Sequence, residues 1–333
     1  MQQNQNVFSF GELLIRLNSA AEDFLEAGNN VSMFPGGSEA NVATLLGQWN
    51  VPVSYVTAAP DNTLAQNALD KMKQLGVDTS KVIVEGSRLG LYFLLSPNGL
   101  TNGEVVYDRK FSSFSSIKPG SIDWDTLLSG YTWFHWSALT PGLNSDLAIV
   151  ILEGLKVARA KGLTVSVDLN YRSRLWDYGK TPLEVMPELA SYCDVIMGNI
   201  WAANKMLGTK VSDDLNRQTS AEVYFEHAKA SAREIFEQYP QCKHIANTFR
   251  FIDNPEHNLF YGTYHTNGAD VISDVLETNE VVDRIGSGDA FMAGLIYSLI
   301  NKLEPQETLN NAVKAGFDKL FVKGDFLDTS IKS

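Results

Sequence analysis

Cysteine is scarce in this sequence of 333 residues, and basic side chains are few beside the acids. The two cysteines, Cys193 and Cys242, lie too far apart for a CxxC motif, which argues against a disulfide framework and favours a reducing compartment. Lysine and arginine number 27 against 39 acids, a formal net charge of −12. Such a chain repels nucleic acid and anionic membranes at long range, so we expect neither as a partner. An anionic ligand must therefore meet local arginines.

Targeting and membrane signals are also missing. The opening MQQNQNVFSF has neither the basic nor the apolar region of a signal peptide. Residues 126–145 carry no acid, lysine or arginine, but glycines and a proline interrupt them, and a membrane span needs about 20 predominantly apolar residues. The five histidines show no HxxxH or HExxH spacing, so we expect no zinc site. These absences predict a cytoplasmic protein.

What the sequence does contain is an alternation of short β-rich apolar runs with helical patterns whose apolar residues recur three and four apart. This alternation predicts one α/β domain over residues 1–333, with a doubly wound, mostly parallel sheet flanked by helices. We predict strands in VFSFGELLIRL, PVSYVTAA, YTWFHWSAL, LTVSVDLNY, DVIMGN and HIANTF. We predict helices over residues 39–49, 64–76, 147–162 and 221–239, and after Pro305.

Two further segments break this alternation. RLGLYFLLSP (88–97) and GEVVYDRKF (103–111) are separated by the turn-rich NGLTNG, which predicts an antiparallel hairpin. A hairpin that stands off a doubly wound sheet can act as a lid over a site. An ordinary extension of the sheet edge is the alternative.

The stretch DRIGSGDAF, residues 283–291, predicts an anion site. Gly286, Ser287 and Gly288 precede a helix that we expect to start at Asp289, and the free amides of a helix N-terminus attract anions. Asp289 either caps this helix or performs chemistry on the anion. The stretch is neither a Walker A loop nor a Rossmann fingerprint, because no Lys-Ser/Thr pair follows the glycines and the motif lies near the C-terminal end.

A second glycine motif, MFPGGSEANVATLLGQW (33–49), places Gly36 and Gly37 before a helix that carries Asn41. Together the two motifs resemble those of the ribokinase-like, or phosphofructokinase B, family of sugar kinases, whose C-terminal motif reads D-T-x-G-A-G-D. Arg284 stands in place of the family's threonine and Ser287 in place of its alanine. The resemblance implies the ribokinase-like fold with a small β-sheet lid, built from about 11–35 and 88–112, and the use of ATP and Mg²⁺.

Four segments resemble the 2-keto-3-deoxygluconate kinase branch of this family: GLYFLLSPNGLTNGEVVYDRKFSS, FHWSALTPGL, VSVDLNYRSRLW and the late GDF. This resemblance runs over nearly the whole chain. It implies an ATP-dependent kinase that phosphorylates the 6-hydroxyl of 2-keto-3-deoxygluconate. A kinase for a neutral ketose such as fructose is the alternative, followed by a sugar-acid-binding protein that has lost catalysis.

The resemblance also implies catalytic roles. The Asp289 carboxylate accepts the proton of the attacking sugar hydroxyl, and the backbone amides of Gly286, Ser287 and Gly288 stabilise the charge on the transferring group. An aspartate with an ordinary pKa near 3.9 cannot remove a hydroxyl proton in advance, so it must orient the hydroxyl and accept the proton late. We expect the Ser287 side chain to be tolerated because its backbone makes the contact.

A carboxylate substrate favours arginine, whose planar fork binds it bidentately. Arg109 follows Tyr107 on one face of the hairpin, and Arg172 lies beyond a strand at the sheet edge where α/β proteins bind ligands. By resemblance, the residues that bind the substrate are Gly36, Gly37, Asn41, Tyr92, Tyr107, Arg109, Arg172 and Asp325. As alternatives, the hairpin residues form a solvated face, and Arg172 pairs with Asp168 or Asp177.

The nucleotide end is predicted less completely. Asp168 and Asn170 lie at the end of a strand, where they either face phosphate or metal or form hydrogen bonds at the edge of the core. Asn170, Thr248, Arg250 and Arg284 are the predicted ATP contacts beside the glycines. The family's Asn-x-x-Glu motif appears as Asn199 to Ala202 without its glutamate, so we expect Mg²⁺ to be held mainly by phosphates, with Asn199 acting through water. The resemblance also implies a homo-oligomer that assembles through the lid, to which the apolar LGLYFLL is suited.

Overall fold

The computed structural model describes residues 5–19, 28, 30–95 and 104–327. Strands and helices alternate along this part of the chain, as predicted. The described strands are β1 (Val7–Phe10), β2 (Leu14–Ser19), β3 (Val31–Gly36), β4 (Val53–Val56), β5 (Ala58–Ala59), β6 (Ile83–Val84), β7 (Gly90–Leu95), β8 (Glu104–Asp108), β9 (Trp133–Ser137), β10 (Thr164–Asp168), β11 (Val195–Met197), β12 (His244–Phe251), β13 (Asn258–His265), β14 (Asp270–Ile272) and β15 (Leu276–Thr278). The described α-helices are α1 (Ser38–Gln48), α2 (Thr63–Gln74), α3 (Trp124–Leu127), α4 (Leu139–Leu143), α5 (Ser145–Ala160), α6 (Pro182–Ala190), α7 (Ile200–Leu207), α8 (Ala221–Gln238), α9 (Ser287–Ile300) and α10 (Pro305–Asp318).

The central sheet has the order β14-β13-β12-β11-β10-β9-β1-β4, with β15 also paired to β13. The pairs from β12 to β4 are parallel, whereas β13 turns back antiparallel to β12. Strands such as β9 and β11 are buried along their whole length, because helices cover both faces of a parallel sheet. One hydrophobic cluster joins the sheet to α1, α2, α9 and α10, and another joins it to α3, α5, α6 and α7. The predicted doubly wound α/β class is confirmed.

Side-chain caps fix the starts of several helices. Asn62, Asn144 and Ser220 each accept a hydrogen bond from the amide three residues on, at the starts of α2, α5 and α8. The four helices predicted with both bounds agree with α1, α2, α5 and α8 within two residues at each end. The helix α10 begins at Pro305, and α9 begins at Ser287, two residues before the predicted start at Asp289. No helix in the described residues combines the length and apolarity needed to cross a membrane.

A second sheet of order β3-β2-β7-β8 stands apart from the central one, and we call it the lid. The prediction of one strand in VFSFGELLIRL is wrong, because the chain leaves the central sheet after β1 and enters the lid as β2. The crossing occurs at Gly11, where a Cβ would lie 2.1 Å from the Glu39 carboxylate. The predicted hairpin is formed by β7 and β8, and its turn NGLTNG lies outside the described residues.

The segment NTFRFIDNPEHNLFYG, which contains the predicted ATP contacts Thr248 and Arg250, is mostly a hairpin of β12 and β13. Its first strand is longer than the predicted HIANTF and ends at Phe251. Thr248 and Arg250 therefore lie on a strand, where the backbone ladder holds them in place.

Candidate functional site

A cavity of about 530 Å³ lies between the lid and the edge of the central sheet at which its parallel strands end. We call it the site cavity. Most of the predicted site residues line it: Gly37, Asn41, Tyr92, Tyr107, Arg109, Asn170, Arg172, Asn199, Thr248, Arg250, Arg284, Gly286, Ser287, Gly288, Asp289 and Asp325. Gly36 lies just behind the wall, where a Cβ would come within 2.4 Å of Asp325 Oδ1. The fold thus brings together residues that are nearly 290 positions apart in sequence.

Two helices begin at this cavity without a side-chain cap. The N-cap of α1 is Gly37, with φ 133°, and the N-cap of α9 is Gly286, with φ 84°, so glycine is favoured at both positions. The space beside Gly288 is open for 4 Å around an added Cβ. The amide of Ser287 makes a hydrogen bond of 3.3 Å to the carbonyl of Arg284, so it is less free than predicted. The uncapped ends still direct positive potential into the cavity.

Asp289 does not cap α9, so that alternative is wrong. Its Oδ1 accepts a hydrogen bond from Ser38 Oγ (2.7 Å), and its Oδ2 accepts one from Asn41 Nδ2 (2.6 Å). The Asn170 amide donates to Ser38 Oγ in turn (3.1 Å). Burial raises the pKa of Asp289 above its ordinary value, although the hydrogen bonds from Ser38 and Asn41 oppose this. The carboxylate is therefore held in one orientation and made a better proton acceptor.

Two more carboxyl groups lie near Asp289. Burial raises the pKa of Asp168 to about 7, and the Asp289 charge adds to this. Burial also raises the pKa of Glu39 to about 7, against hydrogen bonds from Ser137. The sequence motif contains Glu39, but nothing in its pattern indicated that the fold would bury it beneath the site. Partial protonation of both groups limits the negative charge near a bound anion.

Two arginines, Arg250 and Arg284, line the cavity near the start of α9, and we call them the arginine group. Arg250 Nη1 donates to Ser287 Oγ (3.1 Å), so the serine side chain makes a contact that was not predicted. Arg284 is buried and donates to the His257 carbonyl (2.7 Å), while its Nε and Nη1 have no hydrogen-bond partner in the described chain. Desolvation at the cavity wall, with the charges of Arg172 and Arg284, lowers the pKa of Arg250 below its ordinary value, although the residue remains exposed to solvent. Cations that repel one another and have unpaired donors are suited to binding a polyanion such as a nucleoside triphosphate.

The described residues offer no ready-made metal cage. They contain no group of three or more His, Cys, Asp or Glu side chains that could hold an ion. Asn199 lines the cavity, but its Oδ1 caps α7 by accepting from the Ala202 amide (2.8 Å). A Mg²⁺ ion at this site would therefore depend mainly on phosphate oxygens and water.

The lid end of the cavity contains the predicted sugar contacts. Tyr92 donates a short hydrogen bond to Asp325 Oδ1. Arg109 Nε donates to Glu12 Oε2 (2.6 Å). The guanidinium is therefore not entirely free to bind a substrate carboxylate. Its two terminal nitrogens have no hydrogen bond to any described residue. Only these two nitrogens of Arg109 are therefore left for the predicted clamp on the substrate carboxylate.

Arg172 does not form either of the ion pairs considered as alternatives. Asp177 pairs with Lys110 instead (3.5 Å), and no ion pair among the described residues includes Arg172. Its Nη1 donates to the Tyr171 carbonyl (3.1 Å). Its charge lowers the pKa of both Asp168 and Arg250, which places it between the Asp289 region and the arginine group.

Arg16 was missed by the sequence analysis. It lies on β2 with only 1% of its side chain exposed, and it bridges two carboxylates near the cavity. Asp283 accepts from Nη2 (2.6 Å) and Nη1 (3.2 Å), and Asp325 Oδ2 forms an ion pair with Nε at 2.8 Å whose geometry is not that of a hydrogen bond. A charged residue inside the apolar run LLIRL is the one feature of the sequence that could have indicated it.

Comparison with known proteins gives matches over nearly the whole chain. A family model described as pfkB family carbohydrate kinase matches residues 4–317. The crystal structure of 2-dehydro-3-deoxygluconokinase from Thermotoga maritima has a TM-score of 0.88 at 34% identity, over 98% of this chain and 97% of that one. The 2-dehydro-3-deoxygalactonokinase of Haloferax volcanii is 24% identical over 300 residues, 90% of this chain and 86% of its own.

A third relative, the 2-dehydro-3-deoxygluconokinase of Bacillus subtilis, is 22% identical over 320 residues, 95% of this chain and 90% of its own. The ribokinase-like fold with its separate small sheet is confirmed. This chain belongs to the pfkB family of carbohydrate kinases, which makes it a phosphotransferase with an alcohol acceptor.

Proposed function

We propose that this kinase transfers the γ-phosphoryl group of ATP to the 6-hydroxyl of 2-keto-3-deoxygluconate, the substrate also called 2-dehydro-3-deoxygluconate. The observation that carries the proposal is the position of Asp289, held by Ser38 and Asn41 beside the start of α9. A proton acceptor and an anion-binding helix end adjoin in one cavity. The names of the relatives in Thermotoga maritima and Bacillus subtilis support the choice of sugar acid.

Asp289 orients the attacking hydroxyl and accepts its proton as the bond to phosphorus forms. Phosphoryl transfer has a loose transition state, so positioning and charge stabilisation contribute most of the rate. The raised pKa of Asp289 favours late proton acceptance. The amides at the start of α9 and the nearby arginines stabilise charge on the transferring group.

The nucleotide lies along the arginine group in this proposal. Arg250 and Arg284 contact its phosphates, and Asn170 and Thr248, the other predicted ATP contacts, line the same cavity. When bound, Mg²⁺ neutralises phosphate charge. Asn199 is already engaged as a cap, so it contributes at most through a water molecule.

The sugar acid lies under the lid, with Gly37 and Asn41 near its middle. Tyr92, Tyr107 and Asp325 line this end, and the carboxylate lies between Arg172 and the two terminal nitrogens of Arg109. A paired arginine is a rigid donor, because Glu12 holds it from behind (2.6 Å). A neutral ketose would leave this cation without a ligand, which favours the acid over the ketose.

A turnover panel tests the choice of substrate. ADP release is measured with 2-keto-3-deoxygluconate, its galactonate epimer and fructose, for wild type, Arg109→Ala and Arg88→Ala. Arg88 is the matched control, because it lies two residues before the lid strand β7 and is paired with Asp108 at the protein surface. We expect Arg109→Ala alone to lose most of the kcat/KM for the acids, while fructose is turned over slowly by every protein. Unchanged acid turnover in Arg109→Ala, or faster turnover of fructose by wild type, contradicts the proposal.

We also propose that two copies of the chain associate through the lid. The strand register places Met33, Leu17, Phe93 and Val106 in one row across it. Met33 is 53% exposed and Val106 is 38% exposed, so the row presents an apolar surface. Met33→Lys should shift the protein towards monomer in light scattering, and an unchanged mass would contradict association through this surface.

Both cysteines are buried and unpaired, which supports a reducing, cytoplasmic setting.

A further inference from the structure

One buried arginine joins the two binding ends of the site cavity. Arg16 lies on the lid strand β2, directly opposite Phe34 on one neighbouring strand and Tyr92 on the other. Its guanidinium stacks over the Phe34 ring, 4.6 Å from the centroid. The side chain thus crosses from the lid to carboxylates that belong to the C-terminal part of the chain.

On the nucleotide side, Arg16 acts through Asp283. Each oxygen of this carboxylate also accepts a backbone hydrogen bond: Oδ1 from the Ile285 amide and Oδ2 from the Gly324 amide, both at 3.0 Å. Asp283 therefore fixes the chain immediately before Gly286, where α9 begins. The bidentate pair with Arg16 holds Asp283 in the one orientation that makes both contacts.

On the sugar side, Arg16 acts through Asp325. This carboxylate lines the cavity and accepts a hydrogen bond from Tyr92, which is also on the lid. The ion pair with Arg16 compensates the charge of a fully buried acid. Asp325 and Tyr92 therefore present a fixed pair of polar groups to a ligand under the lid.

We propose that Arg16 is a positioning residue that couples binding of the sugar under the lid to binding of the nucleotide at the start of α9. Both ligand ends depend on one guanidinium, so a ligand that shifts or tightens the contact of Arg16 with one carboxylate also changes its contact with the other. The inference rests on the proposed function, because it takes a sugar acid and ATP as the two ligands. A purely structural ion pair would stabilise the fold and leave the two affinities independent.

A binding cycle measures this coupling without turnover. The Kd of Mg²⁺ with β,γ-imido-ATP is determined by calorimetry with and without saturating 2-keto-3-deoxygluconate, in wild type, Arg16→Gln and the control Arg88→Gln. In wild type and in Arg88→Gln we expect the sugar acid to lower the Kd of the ATP analogue by about tenfold. In Arg16→Gln we expect a change of less than about twofold, and by linkage the analogue should have the same small effect on sugar-acid affinity.

Several outcomes would overturn the inference. Equal coupling in wild type and Arg16→Gln does so, and so does wild type that binds both ligands independently. If Arg16→Gln does not fold, Arg16→Lys decides, because lysine keeps the charge but lacks the fork that spans two carboxylates. Full coupling in Arg16→Lys then contradicts the role. Wild type that does not bind the sugar acid contradicts the proposed function instead, and the cycle is repeated with the acceptor that the turnover panel identifies.

Discussion

The two ends of the site cavity treat positive charge in opposite ways. At the lid end, Arg16 and Arg109 are buried and each is paired with carboxylate, Arg109 with Glu12. At the nucleotide end, Arg250 and Arg284 donate only to neutral oxygens within the described chain. A carboxylate partner holds a cation rigidly in the wall of the cavity, whereas a cation without a counter-charge keeps its full affinity for an anionic ligand. The lid end is therefore built before a ligand arrives, and the nucleotide end is completed by it.

The largest expected effect comes from Asp289, which lies where the two ends meet. Asp289→Asn keeps the size of the side chain but removes its capacity to accept a proton. We expect kcat to fall by about 10² to 10⁴, because general base catalysis contributes on that order. Steady-state kinetics measures this loss, and calorimetry should find nucleotide affinity within a few fold of wild type. A kcat within tenfold of wild type would exclude Asp289 as the base.

Glu39, which is buried beneath the cavity, tests how the stability of this region depends on pH. Burial raises its pKa from the ordinary 4.5 to about 7 in the folded state. The folded protein thus holds this proton more tightly than the unfolded chain does, a contribution that is present below about pH 4.5 and lost as the pH rises through about 7. Glu39→Gln cannot ionise, so it should gain stability relative to wild type on going from pH 5 to pH 8, by at most about 3 kcal/mol.

Urea denaturation at the two pH values measures this difference in the free energy of unfolding. Glu184→Gln is the control, because Glu184 is exposed in the capping box of α6 and its pKa is lowered, not raised. A stability difference between Glu39→Gln and wild type that does not change with pH would show that Glu39 is already ionised in the folded protein.

Arg250 tests the open end directly. Arg250→Ala removes a cation that we expect to donate a charged hydrogen bond to the nucleotide. The loss of such a bond should weaken nucleotide affinity by about 10- to 100-fold. The melting temperature should not fall, because no ion pair within the described chain is broken. Calorimetry and thermal denaturation measure the two quantities, with Arg217→Ala as the control, since Arg217 pairs with Asp253 at the surface. A lowered melting temperature with unchanged nucleotide affinity would mean that Arg250 stabilises the fold and does not bind the nucleotide.

Local patterns predicted the helices and the sheet class well, because amphipathic spacing and caps act over a few residues. They did not predict that VFSFGELLIRL divides at Gly11 between two sheets, since both halves have the same β-rich composition. The contact of Arg16 with Asp283 spans 267 positions, and no local rule predicts such a pair. The glycine motifs did indicate the cavity, because backbone conformation at a helix start is a local property.

The smallest expected effect concerns Ser287, whose backbone alone was predicted to matter. Its hydroxyl accepts from Arg250 (3.1 Å), which links the start of α9 to the arginine group. Ser287→Ala should weaken nucleotide binding by only about two- to tenfold, because one hydrogen bond contributes about 0.5 to 1.5 kcal/mol. If the hydroxyl acts by orienting Arg250, the same substitution made in Arg250→Ala should have no further effect. Additive losses in the double variant would mean that Ser287 contacts the nucleotide independently of Arg250.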